Sequence, residues 1–143
     1  MEMWELVARE AIRDLVARYN ANGDAGRFPQ VLELFADDAV MEIAGDALYR
    51  GRDEILTIFT GTRDRVRGEV DVGHLRHFTA THQIDLIDPS RAEGRCYFSV
   101  VTAIGLDHWG RYIDRYVCEG DRWLFAARAV TVDGRSPGSM FAR

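Results

Sequence analysis

The side chains able to move protons are few, and their spacing is informative. The chain has four histidines. His74, His77 and His82 cluster in one segment, and His108 follows in Gly-Leu-Asp-His-Trp-Gly, which reads as a turn. Imidazole titrates near neutral pH, so each is a candidate acid or base. Spacings of three and five on a strand do not bring three histidines to one face, which argues against a metal site. A histidine beside a carboxylate is the stronger arrangement. The carboxylate holds one tautomer and stabilises the charged ring, and the pair can take a proton from carbon or shuttle one in an elimination.

Two carboxylates are placed for such work. Asp24 follows the Asn22-Gly23 break of an apolar helix. It can orient a histidine, or it can be a cap in ordinary turn chemistry. Asp114 shares a strand face with Tyr112, Tyr116 and Cys118. Facing an apolar hollow it would keep its proton and donate it; the alternative is a pairing with an arginine at a subunit contact. Nucleophilic chemistry has less support. Cys96 and Cys118 show neither metal nor redox spacing and read as buried thiols of a reducing cytoplasm. Ser99 lacks the strand–turn–helix elbow of hydrolases, and no glycine-rich phosphate loop occurs.

The elements that must position these groups form one domain over residues 1–143, a length able to bury a core without staples. A net charge of -5 with scattered arginines argues against a nucleic-acid partner. No apolar run suits a membrane span, and the acidic start, Met1-Glu2-Met3-Trp4-Glu5, is unlike a signal peptide. Trp4, Ala8, Ala11, Ile12, Leu15 and Tyr19 recur at three and four residues, which predicts a first helix ending at Asn22-Gly23. Phe28, Val31, Leu32 and Phe35 predict a short second helix with Pro29 in its first turn. Asp-Asp-Ala-Val-Met-Glu-Ile reads as a turn and a strand, and a third helix starts near Asp53 and Glu54. Period two then predicts four strands, His77–Ile87, Ala92–Ile104, Tyr112–Cys118 and Trp123–Val132. Helices followed by strands make an α+β fold, with helices on one side of a mostly antiparallel sheet and a concave space between.

The segments AIRDLVARYNANGD, LFADDAVMEIAGDALYRGRDEI, RHFTATHQIDLI with AEGRCYF, and GRYIDRYVCEGDRWLFAAR resemble the SnoaL-like branch of the nuclear transport factor 2-like superfamily over almost the whole chain. The resemblance implies a cone: three helices against a strongly curved mixed sheet, with a pocket at the open end, in a homodimer or homotrimer. Scytalone dehydratase, bile-acid 7α-dehydratase and hexachlorocyclohexane dehydrochlorinase of that superfamily use an Asp–His pair, which carries over to Asp24 and His77. Tyr19 matches a pocket tyrosine of the bile-acid enzyme and the oxyanion-binding tyrosine of ketosteroid isomerase, and Asp114 matches that isomerase's protonated aspartate. Ile43 stands where the isomerase has its catalytic aspartate, so that reaction by that route is not expected. A second pocket histidine of scytalone dehydratase falls near Thr102, and an extra aspartate of the bile-acid enzyme falls near Val100.

The implied function is a cytoplasmic, cofactor-free dehydratase, isomerase or polyketide cyclase acting on a small hydrophobic or polycyclic molecule. Catalysis would rest on Asp24, His77 and Tyr19. Asp114, Ile43, Val100, Thr102, Tyr112 and His82 would contact substrate. The alternative is a ligand-binding or assembly module without chemistry. Simple alternation puts Phe78, Ala80, His82, Ile84 and Leu86 on the core face and turns His77 away, with His82 inward in its place. A β-bulge between the ends of that strand would reverse His77, since one extra residue swaps the faces. The tail from Gly134 to Arg143 either folds over the pocket mouth or frays.

Overall fold

The computed structural model describes residues 1–44, 48–68 and 74–141, with side chains described outside 65–68. Helix α1 spans Met3–Asp24. At its start the Glu5 carboxylate accepts the Glu2 N–H at 2.6 Å. Ala8, Ile12, Leu15, Val16 and Tyr19 bury one face, while Trp4 stays largely exposed. The helix runs through Asn22-Gly23 and stops one residue past that break, at Asp24. Gly26 is the reason. It takes φ of 74°, its N–H bonds the Gly23 carbonyl, and the Arg27 N–H bonds the Asn22 carbonyl. Those two bonds close a left-handed C-terminal cap that glycine adopts without a Cβ penalty. Asp24 is therefore the last helical residue, and glycine does the capping.

Helix α2 is Phe28–Leu32, with Pro29 in its first turn. It is shorter than the pattern predicts, because Phe35 already begins strand β1, Phe35–Ile43. Strand β2, Leu48–Arg50, precedes helix α3, Gly51–Gly68, whose first turn carries Asp53 and Glu54. Strands β3 (Arg76–Asp88), β4 (Arg91–Thr102), β5 (Gly105–Glu119) and β6 (Arg122–Arg135) follow. The sheet order is β2-β1-β6-β5-β4-β3. β1 runs parallel to β6 and every other neighbour is antiparallel. The sheet is thus mixed and mostly antiparallel, with α1 across its inner face.

The largest departure from the pattern is β5. It begins at Gly105, so the segment read as a turn is strand, and His108 is a sheet residue. Two glycines with Asp, His and Trp imitate turn composition, but Gly110 is there for space. A Cβ on it would lie 2.8 Å from the Phe98 ring and would also meet the Thr131 carbonyl. The bulge expected in β3 is present. The register with β4 shifts between Ala80 and Gln83, and Thr81 takes φ of 57°. Beyond that extra residue the faces swap, so His77, His82 and Ile84 all turn to the inner side while Phe78 faces out.

Candidate active site

Between α1, α3 and the inner sheet face lies a cavity of about 520 Å³. Its walls are mostly apolar, with Phe28, Ile43, Ile58, Phe59, Phe98 and Val130 among them. Among its polar groups are Asp24, Tyr19 and Asn20 from α1, His77 from β3, and His108 and Tyr112 from β5, with Thr57, Thr62 and Arg63 of α3, Tyr49 of β2 and Arg135 of β6 elsewhere in the wall. A second hollow of similar volume on the outer side of α1, along Leu6, Val7 and Glu10, holds no acid–base pair.

Asp24 and His77 meet at the cavity edge. One Asp24 oxygen lies 2.6 Å from His77 Nδ1, and the other accepts the His77 backbone N–H at 2.8 Å. An ionised carboxylate only accepts, so Nδ1 carries the proton and Nε2 is left with a lone pair. The two side chains are 10 % and 23 % exposed, dry enough to strengthen the contact and open enough for exchange with a ligand.

Tyr19 is packed edge-on against Phe35, Phe59, Tyr112 and Phe125. Its hydroxyl has the Met41 sulfur at 3.9 Å, a weak acceptor. Burial pushes its pKa up to about 12 against the pull of Arg128, so the hydroxyl keeps its proton and can donate it. Asn20, the next residue, accepts the Tyr112 hydroxyl at 3.2 Å on its oxygen. Its Nδ2 is buried without a hydrogen-bond partner among the described residues. A neutral donor left unpaired beside a cavity is costly unless something enters to accept it.

The remaining residues singled out from the sequence divide clearly. Ile43 and Tyr112 line the cavity. Val100 is fully buried beneath it. Thr102 donates to Asp107 at 3.1 Å. His82 lies 3.1 Å from the Tyr116 hydroxyl and, with Asp114, sits outside the cavity lining. Asp114 makes a two-pronged ion pair with Arg128 at 2.7 and 2.9 Å, and accepts the Tyr116 hydroxyl at 2.8 Å. The arginine is in the same chain, not at a subunit contact. Arg128 is itself wholly buried, 3.8 Å from the Tyr112 ring centre and 4.3 Å from that of Tyr19. Burial alone would lower its proton affinity, but Asp114 outweighs that and raises it, so the arginine stays charged. Sequence reasoning passed over Arg128 and Asn20, and it placed His108 in a turn instead of a strand. The buried arginine shows no signal in a period-two strand, and His108 was hidden by its apparent turn.

The tail folds back over the cavity. The Ser139 hydroxyl donates to Asp107, the Arg135 guanidinium donates to the Phe141 carbonyl at 2.8 Å, and Phe141 joins the cavity wall. Among the described residues no group of three His, Cys, Asp or Glu side chains is arranged to hold a metal ion.

The family model of the SnoaL-like domain matches residues 4–129. The chain belongs to this family. Solved structures share the SnoaL-like architecture at low identity. A candidate scytalone dehydratase from Novosphingobium aromaticivorans is 19% identical, with 100% of this chain and 94% of that one covered at a TM-score of 0.83. Hexachlorocyclohexane dehydrochlorinase LinA-type3 from Novosphingobium barchaimii is 16% identical, covering 100% and 99%, with a TM-score of 0.80. The beta subunit of a candidate aromatic-ring-hydroxylating dioxygenase from N. aromaticivorans is 19% identical, covering 96% and 97%, with a TM-score of 0.73. At such identities the likeness is one of fold. No curated protein sequence matches this SnoaL-like chain. No helix among its described residues is long and apolar enough to cross a membrane.

Proposed function

We propose that this protein is a lyase or isomerase of the dehydratase or cyclase type, working through side-chain acid–base chemistry on a small hydrophobic substrate. The observation that carries this reading is the 2.6 Å contact between Asp24 and His77 at the edge of an apolar cavity. Neutral His77 takes a proton at Nε2 from carbon next to a substrate carbonyl. The electron pair left behind makes an enolate, whose oxygen accepts from the Tyr19 hydroxyl and the Asn20 amide. The enolate then re-forms the carbonyl, a carbon–carbon double bond forms, and the bond to an oxygen on the next carbon breaks. The His77 imidazolium, stabilised by Asp24, returns its proton to that oxygen, which leaves as water. Where no leaving group is present, the same proton returns to a different carbon and the outcome is an isomerisation.

A probe of the chemistry is 3-hydroxy-1-tetralone, which gives 1-naphthol on losing water. Wild type should accelerate that loss. His77→Ala should abolish the acceleration with a melting temperature close to wild type. Full activity in His77→Ala, or neither water loss nor exchange of the proton beside the carbonyl with wild type, would overturn the reading.

A second reading, an assembly module, has one observation behind it. Phe78, Tyr97, Trp109 and Ile113 are exposed on β3, β4 and β5, and the register places Phe78, Ser99 and Trp109 side by side. An apolar outer face of this kind fits association with a further subunit. Under that reading His77→Ala and wild type would behave alike in every activity assay, and association would be the measurable property.

A further inference from the structure

The proton chemistry above leaves His108 unused, yet His108 is built into the cavity wall with care. The pairings His77 with Val100 and Val100 with His108 set these three residues in one row across β3, β4 and β5. Cross-strand partners point to the same face, so the two imidazoles flank Val100 with their Cα atoms ~10 Å apart. His108 Nδ1 lies 2.9 Å from Asp107 Oδ1. Asp107, 1 % exposed, also accepts the Thr102 hydroxyl and the Ser139 hydroxyl. Three donors fix it as an ionised acceptor: burial works to raise its pKa, and the hydrogen bonds outweigh burial and lower it. Nδ1 of His108 must then carry the proton, and Nε2 keeps a lone pair.

Aromatic rings flank the His108 imidazole, with His77 and Arg135 also in the same cavity wall. Phe141 stands 4.6 Å and Phe98 6.1 Å from the His108 ring, centre to centre. A ring nitrogen at the cavity wall without a protein partner accepts from whatever fills the cavity, water or ligand. Among the described residues this ring hydrogen-bonds to Asp107 alone. The cavity thus offers donors on α1 at Tyr19 and Asn20 and an acceptor on β5 at His108, with the Arg63 and Arg135 guanidiniums also in its wall.

We propose that His108 recognises a hydroxyl group, so that the ligand of this site is an apolar ring compound carrying an O–H donor at one end and a carbonyl acceptor at the other. The proposal rests on the reading of the cavity as the ligand site, and it does not depend on turnover. Burial lowers the proton affinity of His108, Asp107 opposes the shift, and His77 and Arg135, the other titratable groups facing it, add to it. The ring is therefore neutral at pH 7 and accepts. A ligand without the hydroxyl leaves Nε2 desolvated and unpaired, and a site built to bond a hydroxyl rejects such an analogue strongly. Asp107 is the positioning residue that holds the accepting tautomer.

The test compares 1-tetralone with 5-, 6- and 7-hydroxy-1-tetralone by calorimetry. At least one hydroxylated isomer should bind wild type about tenfold or more tighter than the parent ketone, and His108→Phe should lose that preference. In wild type with ¹⁵N-labelled histidine, the His108 Nε2 resonance should move with the hydroxylated ligand and stay in place with 1-tetralone, a readout that needs no variant. Asp107→Asn should change the His108 tautomer pattern in the same spectra. Equal binding of all four ketones, a preference that survives in His108→Phe, or an unmoved Nε2 resonance would each overturn the assignment. A hydroxyl preference in a wild type that neither dehydrates nor exchanges its probe would sink the lyase reading and leave this one standing.

Discussion

Asp24 occupies a poor place for an acid. It is the last residue of α1, where the helix dipole presents its negative end and a carboxylate is disfavoured by roughly 0.3–1 kcal/mol. The His77 N–H and imidazole compensate by binding both of its oxygens. A residue that breaks a local rule and is repaired from a distant strand is where function is expected. Asp24→Asn should therefore lose activity far more than stability. The melting midpoint should stay within about 1 kcal/mol of wild type, since the amide oxygen still accepts one bond and the dipole conflict is gone. Turnover of the tetralone probe should fall about a hundredfold or more, because the amide no longer enforces the tautomer or supports the imidazolium. Histidine also sets a stability slope. Burial, with Arg13 facing it, lowers His82, and burial lowers His108. The folded chain therefore holds these rings neutral at a pH where the unfolded chain, with an ordinary value of 6.5, takes up protons. The unfolded state then binds more protons, so stability drops as pH falls through about 6.5 and levels off below the folded values. Urea midpoints from pH 8 to 5 should show this slope, and His82→Phe should flatten it.

The strands carry the precision of the site, and their irregularities matter more than their regular stretches. Without the extra residue at Thr81, His77 and Ile84 would face opposite sides of the sheet. The alternation of apolar residues in β3 showed that a conflict existed but could not show where the fault lay, because a bulge leaves no composition of its own. β5 failed in the opposite sense: its first six residues look like a loop, and the glycine that makes them so is a packing residue. Gly110→Ala should destabilise the fold by about 1–3 kcal/mol, as overpacking does, read as a lowered thermal midpoint. Since Phe98 stacks on Tyr112 at 4.7 Å, moving its ring should also weaken binding of the tetralone ligands. A strand read only by alternation hides such a contact, because the ring that fills the space comes from the neighbouring strand.

At the scale of the molecule the architecture was largely legible. Three apolar helical stripes followed by period-two segments leave few ways to build a core, and the helices and four long strands lie near their expected places. β2, the parallel pairing of β1 with β6, and the position of Asp114 were not legible, because each depends on which distant segment arrives alongside. Asp114 meets Arg128 in the driest part of the core and the ion pair props up the floor beneath Tyr19 and Tyr112. Asp114→Ala would strand the arginine's charge among aromatic rings and should cost about 3–5 kcal/mol, measurable by urea unfolding. The mixed sheet has one more consequence. Met41 pairs with Arg128, so the edge of β1 not taken by β2 is covered only by the final strand. On a ribosome, the emerging first third of this chain would wait, with its greasy edge uncovered, until nearly all the rest had been made. Such a chain should fold after synthesis rather than during it, and holding chaperones should bind its early segments.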